Sequence, residues 1–538
     1  MPIIPVRGLA AQGIVSDVDP YTLKGMAWSA GVNVRFENGS ILRAPVFRNA
    51  SALSQDHPRF ITSYITSDGT DRIIIGYRNG RLFQWTNGSE SDVSVDGFVD
   101  ADTEGSFTAV TLGDVQYVNR QDRVPWYMGP LDTEFHELPN WNTNWRANLL
   151  RSCGGALVAL GITKDGTSHP TMVKTSEFAE AGAVPDSWDE SDTTSNATEN
   201  ILAEMAGPIV DAANLGELLI IYGYQSAWQM QANGSEFVFQ YDPLFTDAGV
   251  INANCVVEVD RKHYVFGLND IWMHDGVSKV SICNERVRNF IFNTLNVAEA
   301  RRCFVSHDPA LKEIRFNYVS GDPLTGFTNG IGCNRAAVFN YGSGGVWSFY
   351  DLPFIHSETR ANLDTSLTYE NATQTYDSAG GTFLDLESSI KKTTLMVGEE
   401  STPHSLGNSL YAFDLEGPGS TVTYAVDEDA TLGWQLVREG IDLDEFDIEL
   451  RGYKCIDSIY PQARLASGAE PIEFRFGSAD YFNENVEYTD WQTYDGAEFY
   501  KLDYRAAGRY LAMQMRQNDY RYVNITGFDF DLDVIGDR

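Results

Sequence analysis

Apolar and polar positions alternate most clearly near residue 40, where Val32, Val34 and Phe36 precede Asn38-Gly39, and Ile41, Leu42 and Arg43 follow. An Asn-Gly pair between alternating residues predicts a two-residue hairpin, because a type I′ turn needs positive φ at both central positions. That loop length sets the register: Phe36 opposite Ile41, Arg35 opposite Leu42, Val34 opposite Arg43. Val32, Val34, Phe36 and Ile41 then share one face with Arg43, and this face is expected to be buried. A two-stranded hairpin is barely stable alone in water, so it must dock on later strands of the chain or on another subunit. A carboxylate is expected to pair with Arg43 across that contact.

Beyond the hairpin the chain reads as short strands punctuated by Gly, Asn and Asp, with almost no sustained helical period, which predicts an all-β fold. One pattern recurs: an apolar strand, a tight turn, a strand with aromatics at alternate positions, then a glycine turn. Ile73-Ile74-Ile75-Gly76 leads to Leu82-Phe83-Gln84-Trp85, Leu218-Leu219-Ile220-Ile221 to Trp228-Gln229-Met230, and Tyr264-Val265-Phe266-Gly267 to Ile271-Trp272-Met273. Weaker copies begin near Val110, Leu157, Ile314, Val338 and Tyr411. Units of several strands at roughly 40 to 60 residue spacing predict a β-propeller, with six or seven blades.

Residues 180–206 and 355–405 have few apolar residues and are expected to be long exposed loops. Between Asn284 and Ala300, Val287, Phe290, Ile291 and Leu295 recur at helical spacing, which predicts a short helix packed on a sheet. From about residue 440 the strands lengthen. Phe446, Ile448 and Leu450 alternate with Asp447 and Glu449, and Phe528, Phe530, Leu532 and Val534 with Asp529, Asp531 and Asp533, predicting strands with one apolar and one acidic face. The division expected is an arm and hairpin over 1–50, a propeller over 51–435, and a β domain over 436–538 that completes a platform with the arm.

Charge narrows the functional classes. The 39 Lys and Arg against 75 Asp and Glu give a net charge of −36, which argues against sequence-reading of nucleic acid. Such acidity suits solubility, a saline environment or a surface that repels a polyanion. The six cysteines (Cys153, Cys255, Cys283, Cys303, Cys333, Cys455) lie far apart without a C-x-x-C pair, so buried apolar roles are expected rather than zinc or disulfides. The start Met1–Arg7 has no apolar stretch of signal-peptide length, and no run approaches the ~18 apolar residues of a membrane span. A soluble protein made in a cytoplasm, without membrane insertion, is the expectation.

Catalytic signatures are missing: no phosphate-binding glycine loop, no G-x-S-x-G elbow, no H-E-x-x-H, no EF-hand spacing. His356-Ser357-Glu358 matches half of a zinc deaminase signature, but no cysteine pair follows. With 75 acids a glycosidase carboxylate pair stays open, yet Ser67-Asp68-Gly69-Thr70 and Thr163-Lys164-Asp165-Gly166-Thr167 lack the spacing and Trp of bacterial-sialidase turns. The expectation is a protein that is not an enzyme and holds no metal or cofactor. A second reading makes Trp85, Trp228 and Trp272 exposed contacts for host polysaccharide, although their alternation within strands favours core packing.

Gly13-Ile14-Val15-Ser16-Asp17, Asp19-Pro20-Tyr21, Trp28-Ser29, Asn33-Val34-Arg35-Phe36, Gly39 and Leu42-Arg43-Ala44-Pro45 resemble the N-terminal region of tail nozzle proteins of short-tailed bacteriophages, also called tail tubular protein B or DNA stabilization proteins. Thr175-Ser176-Glu177-Phe178, Pro185-Asp186-Ser187-Trp188-Asp189, Gly207-Pro208-Ile209-Val210, Ile220-Ile221-Tyr222, Trp228-Gln229-Met230 and Phe245-Thr246-Asp247-Ala248-Gly249-Val250 resemble their central propeller. Ala507-Gly508-Arg509-Tyr510, Ile525-Thr526-Gly527-Phe528 and Gly536-Asp537-Arg538 resemble their closing segment. The resemblance implies a homo-oligomeric ring in the virion, typically a hexamer, whose channel passes DNA without binding it specifically. It also implies an adaptor ring above a platform built from both chain ends, with tail fibres as further partners. On that basis Asp442, Asp444, Asp447, Asp529, Asp531 and Asp533 are candidate channel-lining residues, and Trp28, Arg35, Phe36 and Arg43 candidate assembly-interface residues.

Overall fold

The hairpin forms in the register its turn dictates. The computed structural model describes residues 3–23, 25, 27–67, 71–86, 89–100, 105–233, 238–322, 325–327, 332–363, 390–398, 408–415, 426–428, 431–441, 443–450, 452–482, 484–496 and 500–536. Asn38 (φ 49°) and Gly39 (φ 78°) both take the left-handed conformation. Strands Val34–Glu37 and Ser40–Arg43 pair Val34 with Arg43, Arg35 with Leu42 and Phe36 with Ile41. Val34, Phe36, Ile41 and Arg43 are buried together. Val32 departs from the expected face: Asn33 is left-handed (φ 58°), and this turns the preceding strand Ala30–Val32 into a different sheet. The hairpin docks on the chain's own C-terminal strand, Ile41 opposite Ile525 and Leu42 opposite Asn524.

Among the described residues, seven four-stranded antiparallel sheets follow one another as blades over 58–92, 107–137, 145–201, 209–245, 256–281, 304–351 and 354–414. The all-β propeller expectation holds, with seven blades. The first strand of each blade (Pro58–Ile65, Phe107–Leu112, Trp145–Cys153, Ile209–Leu215, Val256–Val259, Phe304–Asp308, Phe354–Leu363) neighbours the first strand of the next, around a central channel. The second strands are covered on both faces by adjacent blades, which explains their continuous apolar runs, such as Ile73, Ile74 and Ile75, each 1% exposed or less. Blade seven takes its fourth strand, Val46–Ala52, from the N-terminal side of blade one, paired with Ser409–Asp414. That strand closes the ring of blades and ties the hairpin to it.

Three sequence expectations change here. The copies near Ile314 and Val338 are the second and third strands of one blade, Glu313–Tyr318 and Arg335–Asn340. The stretch 355–405 is not one long loop: Phe354–Leu363 and Ile390–Gly398 pair as the first two strands of blade seven, with 364–389 and 399–407 outside the described residues. Thr, Ser and Gly mask these strands because β-branched polar residues pair as well as apolar ones while scoring low in hydropathy. Within 180–206 most residues are exposed turns, but Trp188, Leu202 and Met205 are buried and Thr198–Ile201 forms the outer strand of blade three.

Both chain ends co-fold into a β-sandwich. One sheet holds Ile3–Arg7, Val34–Glu37, Ser40–Arg43, Val523–Gly536, Tyr453–Leu465 and Leu502–Gly508. The other holds Ala30–Val32, Trp434–Glu439, Tyr510–Gln517, Ile472–Ala479, Glu487–Tyr488 and Gln492–Tyr494. Their inner faces meet through edge-on ring pairs, Phe474 with Phe528 (6.1 Å) and Phe476 with Phe530 (6.0 Å).

The sandwich is clamped to blade six. Ile14 N–H donates to Trp347 O (2.9 Å), Asn33 N–H to Phe349 O (2.8 Å), and Asp351 N–H to Asn33 Oδ1 (2.9 Å). The predicted helix is real but shorter, Arg288–Thr294 followed by a 3-10 segment Val297–Arg302. Val287 and Ile291 are fully buried, and Asp17 accepts from the N–H groups of Asn289 (2.7 Å) and Phe290 (2.9 Å), capping the helix from the arm.

Candidate functional site

Strand Val523–Gly536 runs between Tyr453–Leu465 on one side and Ile3–Arg7 with Ser40–Arg43 on the other. Its even positions Phe528, Phe530 and Leu532 are 0% exposed, while Asp529, Asp531 and Asp533 stand half-buried on the outer face. Arg7 Nη2 lies 2.8 Å from Asp529 Oδ1, and Gln462 Nε2 donates to Asp529 Oδ2 at 3.1 Å. Asp531 lies opposite Ile3 and Ser458, and Asp533 opposite Cys455. The face is therefore a row of three carboxylates with Arg7 at one end and Arg505 near the other, where it and Asp533 both act on Cys455.

The other candidate aspartates are elsewhere. Asp442 lies outside the described residues. Asp444 and Asp447 are exposed, on a single 3-10 turn Asp444–Phe446 that ends with Asp447 in the left-handed conformation (φ 58°). The alternation at 446–450 is thus no strand: an αL residue at its second position, Asp447, stops the pleat.

The four candidate assembly residues are consumed inside the chain. Trp28 is 0%, Phe36 1%, Arg35 3% and Arg43 5% exposed. Trp28 Nε1–H donates to Leu9 O (2.8 Å), and Arg35 Nε–H to Glu313 of blade six (2.6 Å). The described bonds of Arg43 go to main-chain carbonyls of Asp519 (2.9 Å), Ala44 (2.9 Å) and Leu432. These side chains hold the arm against the sandwich and propeller, and at such burial they offer no face to a second subunit.

Inside the propeller a cavity of about 450 Å³ lies between the first strands, bordered by Arg151, Asp211, His307, His356 and Glu358. Arg151 Nη2 meets Asp211 Oδ1 at 2.8 Å. Burial raises the Asp211 carboxyl, against the opposing pull of Arg151. Burial pushes Glu358 up to about 8 and His356 down to about 4, so both are neutral at pH 7. Strand alternation puts them on one face, with Ser357 turned away and buried. The motif His356-Ser357-Glu358 is therefore a pair of neutral channel groups. Among the described residues no cluster of three His, Cys, Asp or Glu could hold a metal ion.

Between blades four and five a buried relay escaped the sequence reading. Tyr222 Oη lies 2.7 Å from His263 Nδ1 and 2.6 Å from His274 Nε2. His263 Nε2 faces Asn214 O (2.7 Å), and Gly276 N–H donates to His274 Nδ1 (3.1 Å). One proton arrangement satisfies all four contacts: His263 Nε2–H to the carbonyl, Tyr222 O–H to His263 Nδ1, His274 Nε2–H to Tyr222 Oη, Gly276 N–H to His274 Nδ1. Both imidazoles are then neutral. Burial lowers His263, and burial with the neighbouring His263 lowers His274 to about 3. The residues lie 52 or fewer positions apart, but only blade stacking brings them together.

Trp85 (4% exposed), Trp228 (9%) and Trp272 (4%) belong to the core, so they offer no platform for a saccharide. All six cysteines are buried and free, and burial pushes Cys283 and Cys303 up to about 12. No helix among the described residues is long and apolar enough to cross a membrane.

No family model matches the chain, and no curated protein matches it. Among solved structures it is similar to BBS1N, crystallised in complex with ARL6DN and soaked with mercury, at 10% identity and a TM-score of 0.36, over 71% of this chain and 100% of that one. The lead-soaked crystal of the same complex gives 10% identity and a TM-score of 0.38, over 71% and 99%. The computationally designed Ika8 protein is similar at 8% identity and a TM-score of 0.33, over 68% and 99%.

Proposed function

We propose that this chain is a structural virion protein of the tail nozzle type, one subunit of a ring, six-fold in order, through which phage DNA leaves the particle. In this reading the sandwich made of both chain ends sits beneath an adaptor ring, and the propeller lies to the outside with its insertions available to tail fibres. The protein is made in the host cytoplasm, carried in the phage tail, and acts without catalysis. The observation that carries the reading is the row Asp529, Asp531 and Asp533 on the outer face of that sandwich. Facing a lumen, such a row repels phosphates within a Debye length of about 8 Å, so DNA slides without sticking.

The test uses the buried state of every native cysteine. Asp531→Cys places a reachable thiol on the acidic face, and a gold label attached there should appear at the lumen of ring particles in negative stain. A label at the outer rim would end the channel assignment.

A further inference from the structure

One mouth of the propeller channel gathers basic side chains. Residues that stand at or just before the first strand of a blade all lie at one end of the channel, because the first strands run side by side. At that end Arg59 of blade one, Asn252 and Asn254 before blade five, Arg301 and Arg302 before blade six, and His356 of blade seven border a cavity of about 160 Å³. Three arginines converge there, and among the described residues of the lining there is no carboxylate, in a chain with 39 basic and 75 acidic residues.

The mouth is built. Asn252 Nδ2–H donates to Arg301 O (2.6 Å) and Cys303 O (3.2 Å), fixing the backbone that carries both arginines. Glu299 Oε2 lies 2.9 Å from Arg302 Nε and 4.0 Å from Arg301 Nε, and the Arg301 side chain is 63% exposed at the rim. The floor is aromatic: Phe60 stacks on Phe107 (5.7 Å, 13°), and His356 lies 4.9 Å from Phe60 and 5.2 Å from Phe304. An apolar floor lowers the local dielectric and so strengthens any attraction between a guanidinium and an anion. His356 borders both this cavity and the larger one behind it.

We propose that this mouth binds the oxyanion of a compact ligand, a carboxylate or a phosphate, with Arg59, Arg301 and Arg302 as guanidinium donors. Planar guanidinium groups match both anions in a two-point contact. The cavity volume suits a single charged group or one small molecule rather than a polymer. The site does not depend on the nozzle reading, since it lies on the propeller and not on the sandwich.

The test is calorimetric titration of the full chain at low salt with three probes: inorganic phosphate, glucuronate and neutral glucose. Binding of phosphate, of glucuronate or of both is expected, weakening at high salt, with glucose silent. Phosphate alone assigns a phosphate ligand, and glucuronate alone a carboxylate ligand. Arg301→Gln, at an exposed position where the fold should not suffer, is expected to weaken binding about tenfold with an unchanged melting temperature. Arg59→Gln should weaken binding as well. Silence of both anions up to about 10 mM, equal binding by wild type and both variants, or glucose binding as well as the anions, would overturn the proposal.

Discussion

The Arg35 guanidinium meets the Glu313 carboxylate at 2.6 Å, 278 residues away in sequence, with the two side chains 3% and 0% exposed. Glu313 also accepts from Tyr350 Oη (2.9 Å), and Arg35 reaches Glu37 and Leu311 O. Burial by itself would lower the Arg35 pKa, but Glu313, Tyr350 and Glu37 outweigh it and raise it. Removing one member of such a pair strands a buried charge. Arg35→Met is therefore expected to destabilise by about 3 kcal/mol, and pairing it with Glu313→Leu should recover part of the loss, as read by denaturant unfolding.

The imidazoles around Tyr222 make the propeller acid-sensitive. Both have folded pKa values below the ordinary 6.5, so above pH 6.5 they are neutral in both states and cost nothing. Below 6.5 only the unfolded chain takes up the protons, and stability falls. At pH 5 His274 alone accounts for about 2 kcal/mol. Melting temperatures should drop between pH 7.5 and 5, and His274→Gln should lower stability at pH 7.5 while reducing that drop.

Glu358 carries the opposite sign. Its folded value of about 8 lies above the ordinary 4.5, so its contribution is present below pH 4.5 and lost as pH rises towards 8. Glu358→Gln has no proton to lose. Its melting temperature relative to wild type should climb from pH 5 to pH 9 and exceed wild type at the alkaline end.

Two glycines separate conformational strain from collision. At Gly39 (φ 78°) an added Cβ would meet nothing within 4 Å, so Gly39→Ala should cost about 1 kcal/mol from backbone strain alone. Gly13 (φ 64°) would bring a Cβ to 2.7 Å from Trp347 O, at the bridge between arm and blade six. Gly13→Ala should cost about 2 kcal/mol more, measured in the same unfolding series.

What was legible in the sequence follows from how local its cause is. Asn38-Gly39 fixed the hairpin register residue by residue, because the turn conformation and the pairing are one constraint. The Ile73–Ile75 and Leu219–Ile221 runs announced blades because both faces of a second strand are covered. Alternation failed where a non-glycine residue turns left-handed: Asn33 sent Val32 to the other sheet, and Asp447 stopped the pleat at 446–450. The mouth of the channel was invisible because Arg59, Arg301 and His356 come from three blades and share nothing in sequence but their place before or within a first strand. The fate of Arg35 was hidden for the same reason, since its partner Glu313 lies on blade six, 278 residues away.

If the chain assembles as the proposed nozzle ring, native mass spectrometry of the purified full chain, alone and mixed with a phage adaptor ring, will show a closed assembly of about six copies in at least the adaptor-containing sample. A chain that stays monomeric in both samples would overturn the nozzle reading.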